Sequence, residues 1–267
     1  MMEKKMPFWD HVEDLKRTII NVFLIFFSIF IFTFVIGLEE FELLGNKVMI
    51  FYPTVSDNLS SIFFNRITND LLPSGVELIT VTPVDAIVAN LQISMFLGIT
   101  VGMPFMIYQL GNFVGPGLYT HEKRIIANIT VPATVLFIIG CLVSYYLITP
   151  FTLDFLYSYS YSMNARPFLS VSEFISFVLA FTFIFGFIFE LPIIMVGLTI
   201  VGLVSPDFWK KHWRMAFVIF IFIGAIITPD GSGITQMMVA IPMMFLYVGG
   251  YFASKHYYRK IKVSKEK

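Results

Sequence analysis

Charged residues and cysteine are both scarce in this sequence. Only 13% of its 267 residues are Asp, Glu, Lys or Arg, whereas a soluble globular domain has about 25%. Cys141 is the single cysteine, so an intrachain disulfide and a cysteine-based metal site are both excluded. The formal net charge is zero, which gives nucleic-acid binding no electrostatic support.

The sequence also lacks the motifs of common enzyme classes. It contains no GxxxxGK[ST] phosphate loop, no GxSxG nucleophile turn and no HExxH zinc motif. The four histidines are scattered without the spacing of metal ligands. We therefore expect neither an enzyme nor a bound cofactor or metal ion.

Hydrophobic residues, in contrast, make up 57% of the chain, and 31 residues are phenylalanine. This excess is too large for a bigger soluble core, so a membrane must replace most of the aqueous surface. The apolar runs predict an all-α membrane protein with six transmembrane helices. These helices are expected near residues 18–38, 86–112, 125–148, from 170 onward, 215–229 and 234–254.

The basic residues predict the orientation of these helices. Six crossings place both termini on one side, and 15 of the 18 Lys and Arg residues lie on that side. The positive-inside rule makes it the cytoplasm. Its segments are an interfacial helix at 1–17, loops at 113–124 and 203–214, and a basic tail at 255–267. The acidic segment 39–84 then forms an extracytoplasmic cap, with a short amphipathic helix between Leu59 and Leu71.

Local motifs predict several helix boundaries. The sequence Thr82-Pro83-Val84-Asp85 is typical of a helix start, with Thr as N-cap and Pro at the first position. Ser170 to Glu173 reads as a capping box that opens the fourth helix. Thr149-Pro150 is expected to end the third helix, before a loop rich in Tyr and Ser.

Two groups of acidic residues are candidate functional sites. Glu190 is the one acid inside an apolar span, where a charge costs about 2.5–3.5 kcal/mol on insertion scales, so its default interpretation is functional. A protonated or internally hydrogen-bonded Glu is the alternative. The second group, Asp10, Glu13, Asp14 and Glu122, lies on the predicted cytoplasmic side and could bind arginine guanidinium groups. Spacing alone favours local pairing of these acids with neighbouring Lys and Arg.

Four motifs, in order along the chain, resemble those of the TatC family, the core subunit of the twin-arginine protein translocase. Tyr108–Arg124 resembles its YQ-x-W-x-F-x-x-PGLY-x-x-EKR pattern, with Gly111 in place of Trp. The other matches are Phe185, Gly186, Phe189, Glu190 and Pro192; Thr228, Pro229 and Asp230; and Gln236 with Ala240, Ile241 and Pro242. A further N-terminal motif fits less closely, since Asp14 and Lys16 stand where the family has Glu and Arg.

This resemblance implies a fold and a function. The fold would be one integral membrane domain, a concave, glove-like bundle with short fifth and sixth helices. The chain would bind twin-arginine signal peptides of folded cargo at the cytoplasmic face of the cell membrane, in a multimeric receptor complex. It would recruit single-span partners of the TatA/TatB type and use the proton-motive force. The implied signal-peptide residues are Asp14, Lys16, Phe113, Tyr119 and Glu122, and the implied partner-helix contacts are Glu190 and Gln236.

Two other functions remain open at this stage. An ion-coupled secondary transporter could use Glu190 as a proton or cation site, although such folds usually have two related halves and polar clusters at the midplane. The sequence shows no clear internal repeat. Substrate-dependent flux in liposomes would favour this function, whereas a purely structural scaffold would keep export intact after Glu190→Ala.

Overall fold

The computed structural model describes residues 8–43, 46–54, 56–114, 123–163, 167–228 and 233–265. Most of them are helical, which confirms the predicted all-α class. The helices are α1 (Phe8–Val35), α2 (Leu59–Leu71), α3 (Asp85–Val114), α4 (Lys123–Val143), α5 (Thr149–Ser162), α6 (Val171–Phe189), α7 (Leu191–Ile200), α8 (Pro206–Lys211), α9 (Trp213–Ile227) and α10 (Gly233–Lys265). The strands are β1 (Ile36–Leu43), β2 (Asn46–Pro53), β3 (Glu77–Ile79) and β4 (Phe168–Ser170).

Five described helical stretches are long and apolar enough to cross a membrane. They are Val12–Val35, Asp85–Gln109, Thr130–Ser162, Val171–Ile200 and Gly233–Lys260. The apolar helix α9 has 15 residues, fewer than the about 20 that span a hydrocarbon core. The chain is therefore a multi-pass membrane protein with a short fifth helix. The sixth crossing and the cytoplasmic position of the termini stay predictions.

The chain divides into two compact units. The first consists of residues 1–72, 77–134 and 168–179, and the second of residues 73–76, 135–167 and 180–267. Each unit has its own helix packing, and the two are described separately below.

In the first unit, α1 packs along α3. Gly98 of α3 lies so close to α1 that an added Cβ would be 3.2 Å from the ring of Phe26. Helix α1 is continuous from Phe8 to Val35, so the predicted interfacial segment and the first span are one helix. The position of residues 8–17 at a membrane surface stays a prediction.

The segment between α1 and α3 contains the predicted short helix and a hairpin that was not predicted. Strands β1 and β2 pair antiparallel, with Ile36 opposite Pro53. Helix α2 covers residues 59–71, and its buried residues include Ile67 and Leu71. The Asn58 side chain fixes its start, because it accepts a hydrogen bond from the Ser61 N–H (2.8 Å) and donates one to the Phe34 carbonyl (2.6 Å).

Strands β3 and β4 pair in parallel and bring the starts of α3 and α6 together. Glu77 lies opposite Phe168, and Ile79 opposite Ser170. Helix α3 begins at Asp85, whose carboxylate accepts hydrogen bonds from the Val81 N–H (2.7 Å), the Thr82 N–H (3.0 Å) and the Thr82 hydroxyl (2.6 Å). The predicted start at Pro83 is therefore two residues too early, because α3 begins at Asp85. The Asp85 carboxylate, and not the Thr82 hydroxyl, accepts the backbone hydrogen bonds there.

The prediction that Thr149-Pro150 ends the third helix is wrong. Helix α4 continues through a π-turn at residues 144–148 into α5, so the expected Tyr- and Ser-rich loop is helical as far as Ser162. The Thr149 N–H bonds the Ser144 carbonyl, five residues back. This wider turn accommodates Pro150, which has no N–H to donate and clashes with a regular preceding turn.

In the second unit, α10 packs on α7 and α9. A Cβ added to Gly250 would lie 3.0 Å from the Pro192 Cα atom, so α10 and α7 are in close contact. Two hydrogen bonds of Trp209 hold the short helix α8 in place. The Trp209 indole N–H donates to the Thr199 hydroxyl (3.2 Å), and the Trp209 backbone carbonyl accepts from the Tyr247 hydroxyl (2.7 Å). Helix α10 extends through most of the predicted tail, as far as Lys265.

Candidate functional site

Glu190 occupies a one-residue interruption between α6 and α7. Its N–H donates to the Phe187 carbonyl three residues back (3.0 Å), and its carbonyl accepts from the Ile194 N–H (3.0 Å). Pro192 lies in the first turn of α7, where its missing N–H costs no helical hydrogen bond. The helix is therefore interrupted at the acid, two residues before the proline.

The Glu190 side chain is buried but lacks a complete set of hydrogen bonds. It is only 8% exposed, and within the described chain its Oε1 atom has no hydrogen-bond partner. A buried polar atom without a partner costs roughly 1–3 kcal/mol. The side chain can therefore accept a hydrogen bond, or pair with a cation, supplied by a group outside the described residues.

Close helix contacts flank this interruption on both sides. A Cβ added to Gly140 of α4 would lie 2.6 Å from the Phe185 carbonyl oxygen, and one added to Gly186 would lie 2.6 Å from the Phe137 ring. After the interruption, Pro192 meets Gly250 of α10. These backbones and rings leave no room for a side chain at the three glycines, so helices pack closely on both sides of the interruption.

Gln236, the second expected partner-helix contact, lies half-buried in the first turns of α10. It packs against α9, since a Cβ added to Gly224 would lie 2.9 Å from the Gln236 carbonyl oxygen. No hydrogen bond joins the side chains of Gln236 and Glu190 among the residues described here. Both residues belong to the second unit.

The expected signal-peptide residues are only partly described. Asp14 is half-buried and Lys16 exposed in the first turns of α1, and Phe113 is half-buried near the end of α3. Tyr119 and Glu122 lie outside the described residues. The departure from the family pattern at Gly111 lies in α3, close to Phe113.

Asp14 and Phe113 lie on two helices, α1 and α3, that pack against each other. Counted from the contact between Phe26 and Gly98, Asp14 lies roughly 18 Å along α1 and Phe113 roughly 23 Å along α3, at 1.5 Å per residue.

A polar cluster in the first unit was missed by the sequence analysis. The hydroxyls of Ser170 (3.3 Å) and Ser172 (3.4 Å) donate to the Asp85 carboxylate. One helical turn further along α6, the Gln92 amide donates to the Ser176 hydroxyl (2.8 Å). The only signal in the sequence was the repeat of polar residues at helical spacing, Asp85 with Gln92 and Ser172 with Ser176.

The fold and the site together define a multi-pass, α-helical membrane protein with a buried carboxylate at a helix interruption. Residues 10–242 match the family model described as Sec-independent protein translocase protein (TatC). The chain therefore belongs to the TatC family.

Individual members of this family are similar to the chain over nearly its whole length. The sequence is 37% identical to the Sec-independent protein translocase protein TatC of Cenarchaeum symbiosum, over 97% of this chain and 98% of that protein. It is 33% identical to the TatC of Aquifex aeolicus, over 96% of this chain and 98% of that protein. A crystal structure of a twin arginine translocase receptor, TatC, is similar with a TM-score of 0.73 and 30% identity, over 92% of this chain and 98% of that one.

Family membership favours protein transport over ion-coupled solute transport. The protein is a non-enzymatic membrane component of a protein translocase and acts in protein transport. The comparisons give no support to an ion-coupled secondary transporter.

Proposed function

We propose that this chain is the subunit that binds twin-arginine signal peptides of folded proteins at the cytoplasmic face of the cell membrane. It then recruits TatA/TatB-type single-span subunits for export driven by the proton-motive force. The observation that carries the proposal is the likeness to a twin arginine translocase receptor over 92% of the chain. The motif at residues 108–124 supports it independently.

In this proposal two carboxylates bind the arginine pair. Asp14 comes from α1, and Glu122 directly precedes α4 in sequence. A carboxylate accepts two parallel hydrogen bonds from a guanidinium group, so two carboxylates suit two consecutive arginines. Phe113 and Tyr119 are assigned to the same site from the motif at residues 108–124, and Lys16 keeps the positive charge that follows Asp14 in the sequence.

The experiment is photocrosslinking of a twin-arginine signal peptide to the full-length protein in membranes. Glu122→Ala and Asp14→Ala should each lower capture about tenfold or more, because truncating one partner of a charge pair costs roughly 2–5 kcal/mol. Glu13→Ala is the matched control, since Glu13 is the adjacent acid on α1 and is exposed. Capture by Glu122→Ala at the wild-type level would remove Glu122 from the site.

Glu190 and Gln236 are proposed to contact a partner transmembrane helix. The Glu190 Oε1 atom has no described partner, so a polar group on an incoming helix would satisfy it and recover the cost of its burial. The interruption at Glu190 supports this role, because backbone groups there are less regular than in a continuous helix. Photocrosslinkers at neighbouring positions of α7 should capture a TatA/TatB-type subunit.

The proposed orientation places both termini in the cytoplasm. It is supported by the distribution of Lys and Arg, of which only Lys47, Arg66 and Arg166 lie on the other side. Labelling of single introduced cysteines from either side of sealed vesicles tests it. A cysteine at Lys16 should react only from the cytoplasmic side, and one at Lys47 only from the opposite side. Self-association into a multimeric receptor complex is also part of the proposal.

A further inference from the structure

The end of α10 carries four basic side chains on one side of the helix. Lys255, His256, Arg259 and Lys260, here called the basic stripe, line an open cleft together with Phe252. Their spacing of three to four residues places them one above another along the helix. Three of the four are Lys or Arg.

The basic stripe continues a strip of exposed apolar residues on the same side of α10. Phe245, Phe252 and Arg259 follow one another at intervals of seven residues, and each interval is about two helical turns. Phe245 is 75% exposed and Phe252 is 62% exposed, within a stretch that is long and apolar enough to cross a membrane. The buried residues of α10, such as Met243, Tyr247 and Ser254, lie at other positions around the helix. In a membrane, this apolar strip faces acyl chains, and the basic stripe follows it directly.

The depth of the basic stripe matches the headgroup layer. Lys255 and His256 lie about 5 Å beyond Phe252 along the helix axis, and Arg259 about 10 Å beyond it. The polar region on each side of a bilayer adds about 5–8 Å to the hydrocarbon core. If Phe252 lies at the edge of the hydrocarbon, the cations reach the phosphates above the lipids that contact the apolar strip.

The positive charge of the basic stripe is not balanced within the described chain. None of the described carboxylates pairs with Lys255, Arg259 or Lys260. The Lys255 ammonium lies 5.8 Å from the centre of the Tyr251 ring, a cation–π contact that leaves its charge available. From Lys255 to the end of the chain, 13 residues include six Lys or Arg and a single acid, Glu266.

We propose that the basic stripe binds the phosphate headgroups of anionic phospholipids in the leaflet at the C-terminal end of α10. The occupant is a lipid rather than an acidic protein segment, because the stripe extends the lipid-facing strip of the same helix. A cluster of basic residues next to a transmembrane helix attracts anionic lipids, with each residue near the surface contributing to the affinity. This site is separate from Glu190 and from the residues assigned to signal-peptide binding.

The test is native mass spectrometry of the full-length protein titrated with phosphatidylglycerol or with phosphatidylcholine. The wild type should bind phosphatidylglycerol more tightly than phosphatidylcholine. The triple variant Lys255→Gln, Arg259→Gln, Lys260→Gln should bind phosphatidylglycerol about 100-fold more weakly and phosphatidylcholine unchanged. Glutamine has a helix propensity close to that of Lys and Arg, and circular dichroism of the variant verifies that the helices are retained.

Two controls separate this site from general charge effects and from phosphate binding. The variant Lys210→Gln, Lys211→Gln, Arg214→Gln removes the same charge from α8 and α9 and should keep wild-type affinity. Excess inorganic phosphate should not displace the lipid. The proposal would be overturned if both triple variants lost the same affinity for phosphatidylglycerol. It would also be overturned if inorganic phosphate alone displaced the lipid, or if the wild type bound the two lipids equally.

Discussion

Asp85 and Glu190 are both buried carboxylates at helix boundaries, yet their surroundings are opposite. Asp85 is 6% exposed and accepts hydrogen bonds from Val81, Thr82, Ser170 and Ser172. Glu190 is 8% exposed, and its Oε1 atom has no described partner. Burial alone therefore does not distinguish these two acids. The number of satisfied hydrogen bonds does, and an unsatisfied buried group lowers stability, which is why Glu190 and not Asp85 is the candidate functional acid.

The largest loss of stability is expected for changes at Asp85. Asp85→Ala removes the common acceptor that joins the starts of α3 and α6, and leaves two backbone N–H groups without it. We expect the thermal midpoint of unfolding to fall by roughly 5–10 °C in detergent, with loss of export as a consequence. Asp85→Asn keeps one acceptor oxygen, so its thermal midpoint should fall by less than that of Asp85→Ala. A midpoint equal to the wild type for Asp85→Ala would show that the cluster does not stabilise the fold.

Glu190 should show the opposite pattern. Glu190→Ala removes an unsatisfied buried carboxylate, so the thermal midpoint should stay unchanged or rise slightly. Export of a twin-arginine cargo should nevertheless fall about tenfold or more, since a hydrogen bond to a charged group contributes about 1.5–3 kcal/mol. Glu173→Ala, at the exposed start of the same helix, is the matched control and should retain export. Normal export by Glu190→Ala would favour the scaffold alternative.

Thr82→Val removes one hydrogen-bond donor to Asp85 without changing the shape of the side chain. The lost bond is the shortest in the cluster, at 2.6 Å. We expect the thermal midpoint to fall by roughly 2–4 °C, less than for Asp85→Ala, with export retained. Scanning calorimetry of the purified protein measures this shift. A fall as large as that of Asp85→Ala would mean that Thr82 has a further role.

The smallest effect is expected for Gln92→Leu. This change removes the hydrogen bond to Ser176, one turn away from the Asp85 cluster. Hydrogen bonds between transmembrane helices average about 0.6 kcal/mol, which corresponds to a fall of roughly 1–2 °C in the thermal midpoint. Export should be unchanged. A marked export defect without loss of stability would instead assign the Gln92–Ser176 pair a direct function.

Local sequence patterns were sufficient for most helices and for several of their boundaries. Apolar runs identified the spans, because only helices satisfy their own backbone hydrogen bonds in lipid. Ser170 preceded α6 as expected. Pro150 was misinterpreted, since proline lowers helix propensity locally but the π-turn before it was not visible in the sequence.

Contacts between distant parts of the chain could not be predicted. Parallel pairing of β3 with β4 joins residues 91 positions apart, and no local pattern in either three-residue strand indicates its partner. The same holds for the bonds from Ser170 and Ser172 to Asp85. Glu190 was identified as a candidate because it is a single acid in an apolar run, but its missing partner became evident only from the surrounding packing.

The pairing of β3 with β4 also constrains the order of events during biosynthesis. When Glu77 leaves the ribosome, its partner Phe168 has not yet been synthesised. At about 5–20 residues per second, synthesis of the next 91 residues takes roughly 5–18 s. During that interval α1 and α3 can insert and pack, but the Asp85 carboxylate does not yet have the hydrogen bonds from Ser170 and Ser172. The first unit is completed only when the start of α6 arrives, late in translation.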